Sequence, residues 1–196
     1  MAALIEMLPR AGRVLDVGCG YGRIALPLAR AGYDVQGIDI SENLIKAAVA
    51  AADAEGLRLA FATASMMSLP YPSDSFDVVV CLWSAFHELL ETEEQTRAMR
   101  EMLRVLGPGG LAVIEGPTYE EASEQEIQTG DRRGPGYRVA WDIVGGILNP
   151  HYVHDESSLR LVCDAAGIAR HEVVERDWAG RQRLVVRFHK PASAGQ

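Results

Sequence analysis

Side chains able to do chemistry fall in a few short stretches. VLDVGCGYGR, residues 14–23, ends an apolar run around Asp16 and then sets glycines at 18, 20 and 22. Glycine lets the main chain approach a ligand closely, and a turn of this kind sits where the crevice of a doubly wound sheet opens. GIDIS, residues 37–41, puts Asp39 at the end of a second apolar run. A carboxylate there can accept hydrogen bonds from both hydroxyls of a ribose, or it can cap the helix that Ser41 begins. LWSAFHELLE, residues 82–91, surrounds His87 with Trp83, Phe86 and Glu88. An imidazole with a pKa near neutral can move a proton, touch a substrate or fill space, and all three readings stay open.

LNPHYVHDES, residues 148–157, adds His151, Tyr152 and His154 just before a helical pattern. Asp155 or Ser157 can cap that helix. Metal ligands this close in sequence, with no distant fourth, do not make a zinc site, so no metal is expected. Arg132, Arg133 and Arg138 can bind an acidic group on a substrate or form a solvated basic loop.

The elements that must position these residues alternate in type. RVLDV (13–17), YDVQGIDI (33–40), LRLAFAT (57–63), FDVVVCLW (76–83) and LAVIEG (111–116) read as strands, and the unbroken valines suit a strand buried on both faces. Between them lie helical patterns over 21–32, over 42–56 with Ser41 as N-cap and Gly56 as stop, and over ETEEQTRAMREMLRVLGPGG. In the last of these, acids open the helix and arginines close it, which suits the helix dipole, while Met99, Met102, Leu103 and Leu106 form a core stripe. Asp77 reads as structural. DESSLRLVCDAAG is a further helix, and IARHEVVERD and RQRLVVRFHK are near enough to pair as an antiparallel hairpin. The pattern is that of an α/β sandwich with a mostly parallel sheet. Residues 117–153 lack a clean period and are expected to form short helices and loop facing the substrate.

Composition sets the outer bounds. The chain has 196 residues, 48% hydrophobic and 23% charged, enough for one domain with a sizeable core. No run of about 18 apolar residues and no leader pattern occurs, so a cytoplasmic protein without membrane contact is expected. Cys19, Cys81 and Cys163 are too scattered for a disulfide framework. A formal charge of −8 argues against nucleic acid as a partner, although residues 132–196 carry a small basic excess.

The glycine spacing separates the nucleotide ligands. A dinucleotide fingerprint needs GxGxxG, whereas this chain has GxGxG with Asp16 in front and Arg23 five places after Gly18, which disfavours NAD. The chain resembles the class I S-adenosylmethionine-dependent methyltransferases. LDVGCGYG, GIDIS, LPYPSDSFDVVV and LRVLGPGG stand in that family's order and spacing, over about residues 12–116 and more loosely to about 189.

The resemblance implies a three-layer sandwich with a seven-stranded, mostly parallel sheet in the order 3-2-1-4-5-7-6, strand 7 antiparallel. It implies one methyltransferase domain over residues 1–196, with 117–153 as an insertion or lid, and S-adenosylmethionine as cofactor. Asp16 and the backbone of Gly18, Cys19 and Gly20 would hold the methionine end of the cofactor. Asp39 would take its ribose, Ile40 would pack on the adenine, and Cys81 and Leu82 would border the methionine part. Many relatives carry an aspartate before the residue that matches Met66; here Ser65 stands there, and its hydroxyl would accept the adenine amino hydrogen more weakly than a charged group. His87, His154 and Tyr152 are the candidates for acceptor chemistry. Tyr21 and Trp83 can line the cleft or simply pack. The expected activity is methyl transfer to an oxygen or nitrogen of a small molecule. The alternatives are a cofactor-binding module without transfer activity and, less favoured, an NAD-dependent oxidoreductase. A homodimer, a covering insertion or a longer gene could each supply the helices that many relatives place before strand one.

Overall fold

In a computed structural model of the chain, residues 1–118, 128–129, 138–144, 147–178 and 180–192 are described. The strands are β1 (Arg13–Val17), β2 (Asp34–Asp39), β3 (Ala60–Thr63), β4 (Phe76–Cys81), β5 (Leu106–Pro117), β6 (Gln128–Thr129), β7 (Arg138–Val144), β8 (Ile147–Tyr152), β9 (His171–Trp178) and β10 (Arg181–His189). The helices are α1 (Ala2–Ile5), α2 (Ala25–Arg30), α3 (Glu42–Ala54), α4 (Thr92–Val105) and α5 (Glu156–Ala165), with one 3-10 turn at Ala85–Glu88.

Seven strands form one sheet in the order β3-β2-β1-β4-β5-β10-β9. The first four pairings are parallel, and β10 runs antiparallel to both β5 and β9. This is the expected order, with β9 and β10 as the closing hairpin. Strand β4 shows why its valines are unbroken: Val79 and Cys81 pack into one core with Met99, Met102, Leu159 and Val162 from α4 and α5. Val78 and Val80 pack into another with Leu4, Ala25 and Leu28 from α1 and α2. Both sheet faces are therefore covered, and apolar burial supplies about 25 cal/mol per Å² on each.

Local signals act where the sequence predicts them. The Ser41 hydroxyl accepts from the Leu44 N–H at 3.4 Å to start α3, and Gly56 follows its end at φ +66°. Asp155 caps α5 through a reciprocal box, its carboxylate taking the Ser158 N–H at 2.8 Å and the Ser158 hydroxyl taking the Asp155 N–H at 3.1 Å. Asp77 is structural, since it ties the start of β1 by accepting the Arg13 N–H at 2.8 Å.

Two expectations change. Strand β5 begins at Leu106 rather than Leu111, with the Gly-Pro-Gly-Gly run as an irregular lead-in between the Phe76–Leu106 and Val78–Leu111 pairings. Within 117–153 the described residues form an antiparallel sheet of three strands, β6-β7-β8, instead of short helices. Val139, Trp141 and Ile143 alternate with Ala140, Asp142 and Val144, a period of two that suits a strand. Arg138 opens β7, while Arg132 and Arg133 lie outside the described residues. No helix among the described residues is long and apolar enough to cross a membrane.

Candidate functional site

The cleft opens at the carboxyl ends of β1 to β4. It holds about 600 Å³, within the range of small-ligand sites, and is lined by some of the residues in four successive turns, within 16–24, 38–44, 64–67 and 82–89. The glycine turn and the 3-10 turn meet there. Gly18 has φ +71°, and a Cβ on it would lie 2.5 Å from the Ala85 Cβ, so no side chain fits between the two turns.

Asp16, Gly18, Cys19, Gly20, Asp39, Ile40, Ser65, Met66 and Leu82 all line the cleft. Cys81 does not; its side chain turns into the core beside Val79. Asp16 is buried, with one carboxylate oxygen taking the Ala25 N–H and Oδ2 lacking a partner among the described residues. Burial pushes its pKa up to about 7; the Ala25 hydrogen bond opposes this and the Asp39 charge adds to it. An orphaned oxygen of this kind suits a cationic ligand group.

Asp39 accepts the Gly20 N–H at Oδ2 and the Ser41 N–H at Oδ1, both at 2.9 Å. The capping and binding readings are thus compatible, because a carboxylate with about four lone-pair sites keeps two for hydroxyl donors. Ile40 is an exposed apolar face at the rim. The Ser65 hydroxyl accepts the Met67 N–H at 3.2 Å and so shapes the turn after β3. Burial, reinforced by Asp16 and Asp39, pushes the Cys19 thiol up, which keeps it protonated and unreactive.

At the far side of the cleft, Tyr21, Arg23 and Trp83 stand together. The Arg23 guanidinium lies 4.3 Å from the Trp83 ring centroid, and its Nε donates to the Tyr21 hydroxyl at 2.9 Å. Trp83 and the following Ser84 are left-handed, at φ +57° and +68°. For residues other than glycine this conformation costs about 1–3 kcal/mol each and must be held by its surroundings. The Trp83 N–H donates to Glu115 Oε2 at 2.7 Å, and the Ser84 N–H to the Glu115 carbonyl at 3.3 Å. Arg183 Nε donates to Glu115 Oε1, and Arg183 Nη2 to the Ser84 hydroxyl at 2.8 Å. Glu115 and Arg183 are both buried on neighbouring strands.

The acceptor candidates also come together. His87 and His154 rings lie 5.3 Å apart, Tyr152 lies 4.4 Å from His154, and Phe86 stacks on His154 at 6.2 Å. All are buried, and none but the neighbouring turn residues lines the cleft. His87 is fully buried with neither ring nitrogen hydrogen-bonded among the described residues. Burial holds its pKa well below the usual histidine range, and His154, Arg183 and His151 push it further down, so the ring is neutral. His154 Nδ1 lies 3.0 Å from the Ser158 hydroxyl. No group of three or more metal-ligating side chains is arranged for an ion among the described residues.

Gly116 makes room for His87: a Cβ there would fall 1.8 Å from the ring's Cε1 and 2.3 Å from both nitrogens. Gly116→Ala is therefore expected to destabilise the fold by about 1–3 kcal/mol or more. His87→Ala introduced alongside should recover most of that loss in thermal unfolding, and a double variant no more stable than Gly116→Ala would contradict the contact.

Arg23, Glu88 and the Glu115–Arg183 pair have no place in the sequence-derived site. A signal existed for the pair, since Glu115 interrupts the apolar strand LAVIEG and a buried carboxylate needs a partner.

Comparison with known proteins agrees with this geometry. A family model described as a methyltransferase domain matches residues 14–110. A protein of Geobacillus sp. (strain WCH70), provisionally named a methyltransferase, is 31% identical over 169 residues, covering 85% of this chain and 67% of that one. The 27-O-demethylrifamycin SV methyltransferase of Amycolatopsis mediterranei is 43% identical over 137 residues, covering 64% of this chain and 48% of that enzyme. The first curated relatives are matched over 36% to 67% of their own length. The crystal structure of an S-adenosylmethionine-dependent methyltransferase from Methanosarcina mazei superposes with a TM-score of 0.77 at 24% identity, over 98% of this chain and 99% of that one, a likeness of fold.

Proposed function

Because the chain belongs to the class I S-adenosylmethionine-dependent methyltransferases, we propose that it transfers a methyl group from that cofactor to an oxygen or nitrogen atom of a small molecule. The observation that carries this reading is the pair of carboxylates in one cleft: Asp16, buried with an orphaned oxygen, and Asp39, with lone pairs to spare beside the glycine turn. An ammonium satisfies the first and a ribose the second. When bound, the cofactor supplies an electrophilic methyl on a sulfonium.

The protein's part is binding, alignment and exclusion of water. The main chain at Gly18, Cys19 and Gly20 gives close approach at the methionine end, with Leu82 opposite. Ile40 and Leu44 offer apolar surface for a purine, and Ser65 and Met66 face its edge. Beyond Phe86, the cluster of His87, Tyr152 and His154 is the acceptor side of this reading. An imidazole there would accept a proton only from an acceptor that reaches behind the cleft lining, and burial makes His87 a weak base for it. The named acceptor of the Amycolatopsis relative is a small molecule methylated on oxygen, which agrees with this class.

Titration provides the test. Asp16 is largely protonated below pH 7, and a ligand ammonium favours its charged form, so binding on the acid side must release a proton. The affinity for S-adenosylhomocysteine is expected to rise with pH through about 7, by up to about tenfold per unit below it. Asp16→Asn should bind weakly at pH 8 and lose that slope. Calorimetric titrations from pH 5.5 to 8.5 measure both quantities. Absence of binding by the unaltered protein at millimolar ligand would overturn the reading, and a panel of hydroxyl and amine acceptors assayed for S-adenosylhomocysteine formation separates transfer from binding alone.

A further inference from the structure

The cleft is unbalanced in charge. Asp16, Asp39 and Glu88 line it, and Arg23 is the one basic side chain among its described lining residues. A ligand that ends in an amino acid brings an ammonium and a carboxylate, and Asp16 answers only the first. Arg23 pairs with no carboxylate among the described residues; its Nε is taken by the Tyr21 hydroxyl, and its Cζ lies over the Trp83 ring.

We propose that Arg23, laid on the Trp83 ring, binds the carboxylate at the amino-acid end of the cofactor, and that the buried Glu115–Arg183 pair is the positioning device that seats Trp83 beneath it. The inference rests on the methyltransferase reading. A guanidinium presents a planar fork that matches a carboxylate, and its attraction to the indole face places it before the ligand arrives. The indole is itself held by an unusual backbone. Two successive left-handed residues are kept in place from both sides, by Glu115 on the Trp83 N–H and by Arg183 on the Ser84 hydroxyl. Glu115 and Arg183 touch neither the ligand nor Arg23 in this scheme; they act through the Trp83–Ser84 turn.

Three probes read the carboxylate separately from the rest of the ligand: S-adenosylhomocysteine, its decarboxylated thiopropylamine analogue, and 5′-methylthioadenosine, which lacks the amino-acid end. In calorimetric titrations, Arg23→Met is expected to weaken S-adenosylhomocysteine by about 10- to 100-fold and leave the other two within about twofold. Arg23→Lys should restore part of the loss, since it returns the charge without the fork. Glu115→Gln should weaken S-adenosylhomocysteine alone, and should add little further loss on an Arg23→Met background, because the two changes remove one interaction. Equal losses for all three probes, or no loss with Arg23→Met, would refute the assignment of Arg23. Full additivity of Glu115→Gln and Arg23→Met would refute the positioning role. If the unaltered protein binds none of the probes, the methyltransferase reading falls instead.

Discussion

Asp39→Ala is expected to lower the affinity for S-adenosylhomocysteine and for 5′-methylthioadenosine alike, by about two orders of magnitude. Both ligands carry the ribose, and each charge-assisted hydrogen bond to its hydroxyls is worth about 1.5–3 kcal/mol. The loss has a second source. The same carboxylate takes the Gly20 and Ser41 N–H groups, so its removal takes away one tie between the glycine turn and the end of β2, beside the Cys19 N–H on the Ile38 carbonyl. Asp39→Asn keeps an acceptor oxygen and should fall between the two. Calorimetry on both variants decides the matter: an alanine variant within threefold of the unaltered protein would show that Asp39 only braces the turn.

Glu115→Ala should produce the largest loss of stability. It removes the Glu115 carboxylate from the buried Arg183 guanidinium between β5 and β10, and breaking a buried pair in this way costs about 3–5 kcal/mol. For a chain of this size that corresponds to a fall in Tm of about 10 °C or more. Removing both charges is a smaller perturbation than removing one, so Glu115→Gln with Arg183→Met should recover part of the loss. Urea unfolding of the single and double variants measures the difference. A single variant that loses less than 1 kcal/mol would mean that water reaches the pair.

Much of this arrangement is legible in the sequence. The alternation of strand and helix, the two-faced valines of β4 and the closing hairpin follow from side-chain period and short connections, and the sheet order agrees. Asp16, Asp39 and the glycine turn were visible because their chemistry is local: an acid and three glycines at one strand end. The meaning of Arg23 depends on Trp83, 60 positions away, whose ring lies under its guanidinium. The Glu115–Arg183 pair depends on register. Leu184 opposes Gly116 and Val185 opposes Glu115, which puts Arg183 diagonally across from the carboxylate, and no local pattern states which residue of β10 will face which of β5. His87 and His154 meet for the same reason, through tertiary placement of the 3-10 turn against the end of β8. The strands of 128–152 were missed because glycines and prolines around them obscured a genuine period of two in RVAWDIV.

The reversed direction of β10 affects the order in which the site can be built. Its first residues, not its last, reach the end of the sheet where β1 to β4 open, and they leave the ribosome after the strand they pair with. Every described residue that lines the cleft lies within the first 89, so a nascent chain carries these residues before β10 is made. The turn at Trp83 and Ser84 has no guanidinium to lean on until then, and Glu115 waits as an unpaired acid on an open sheet edge. Synthesis from the amino terminus therefore yields the described cleft lining before the pair that braces its rim.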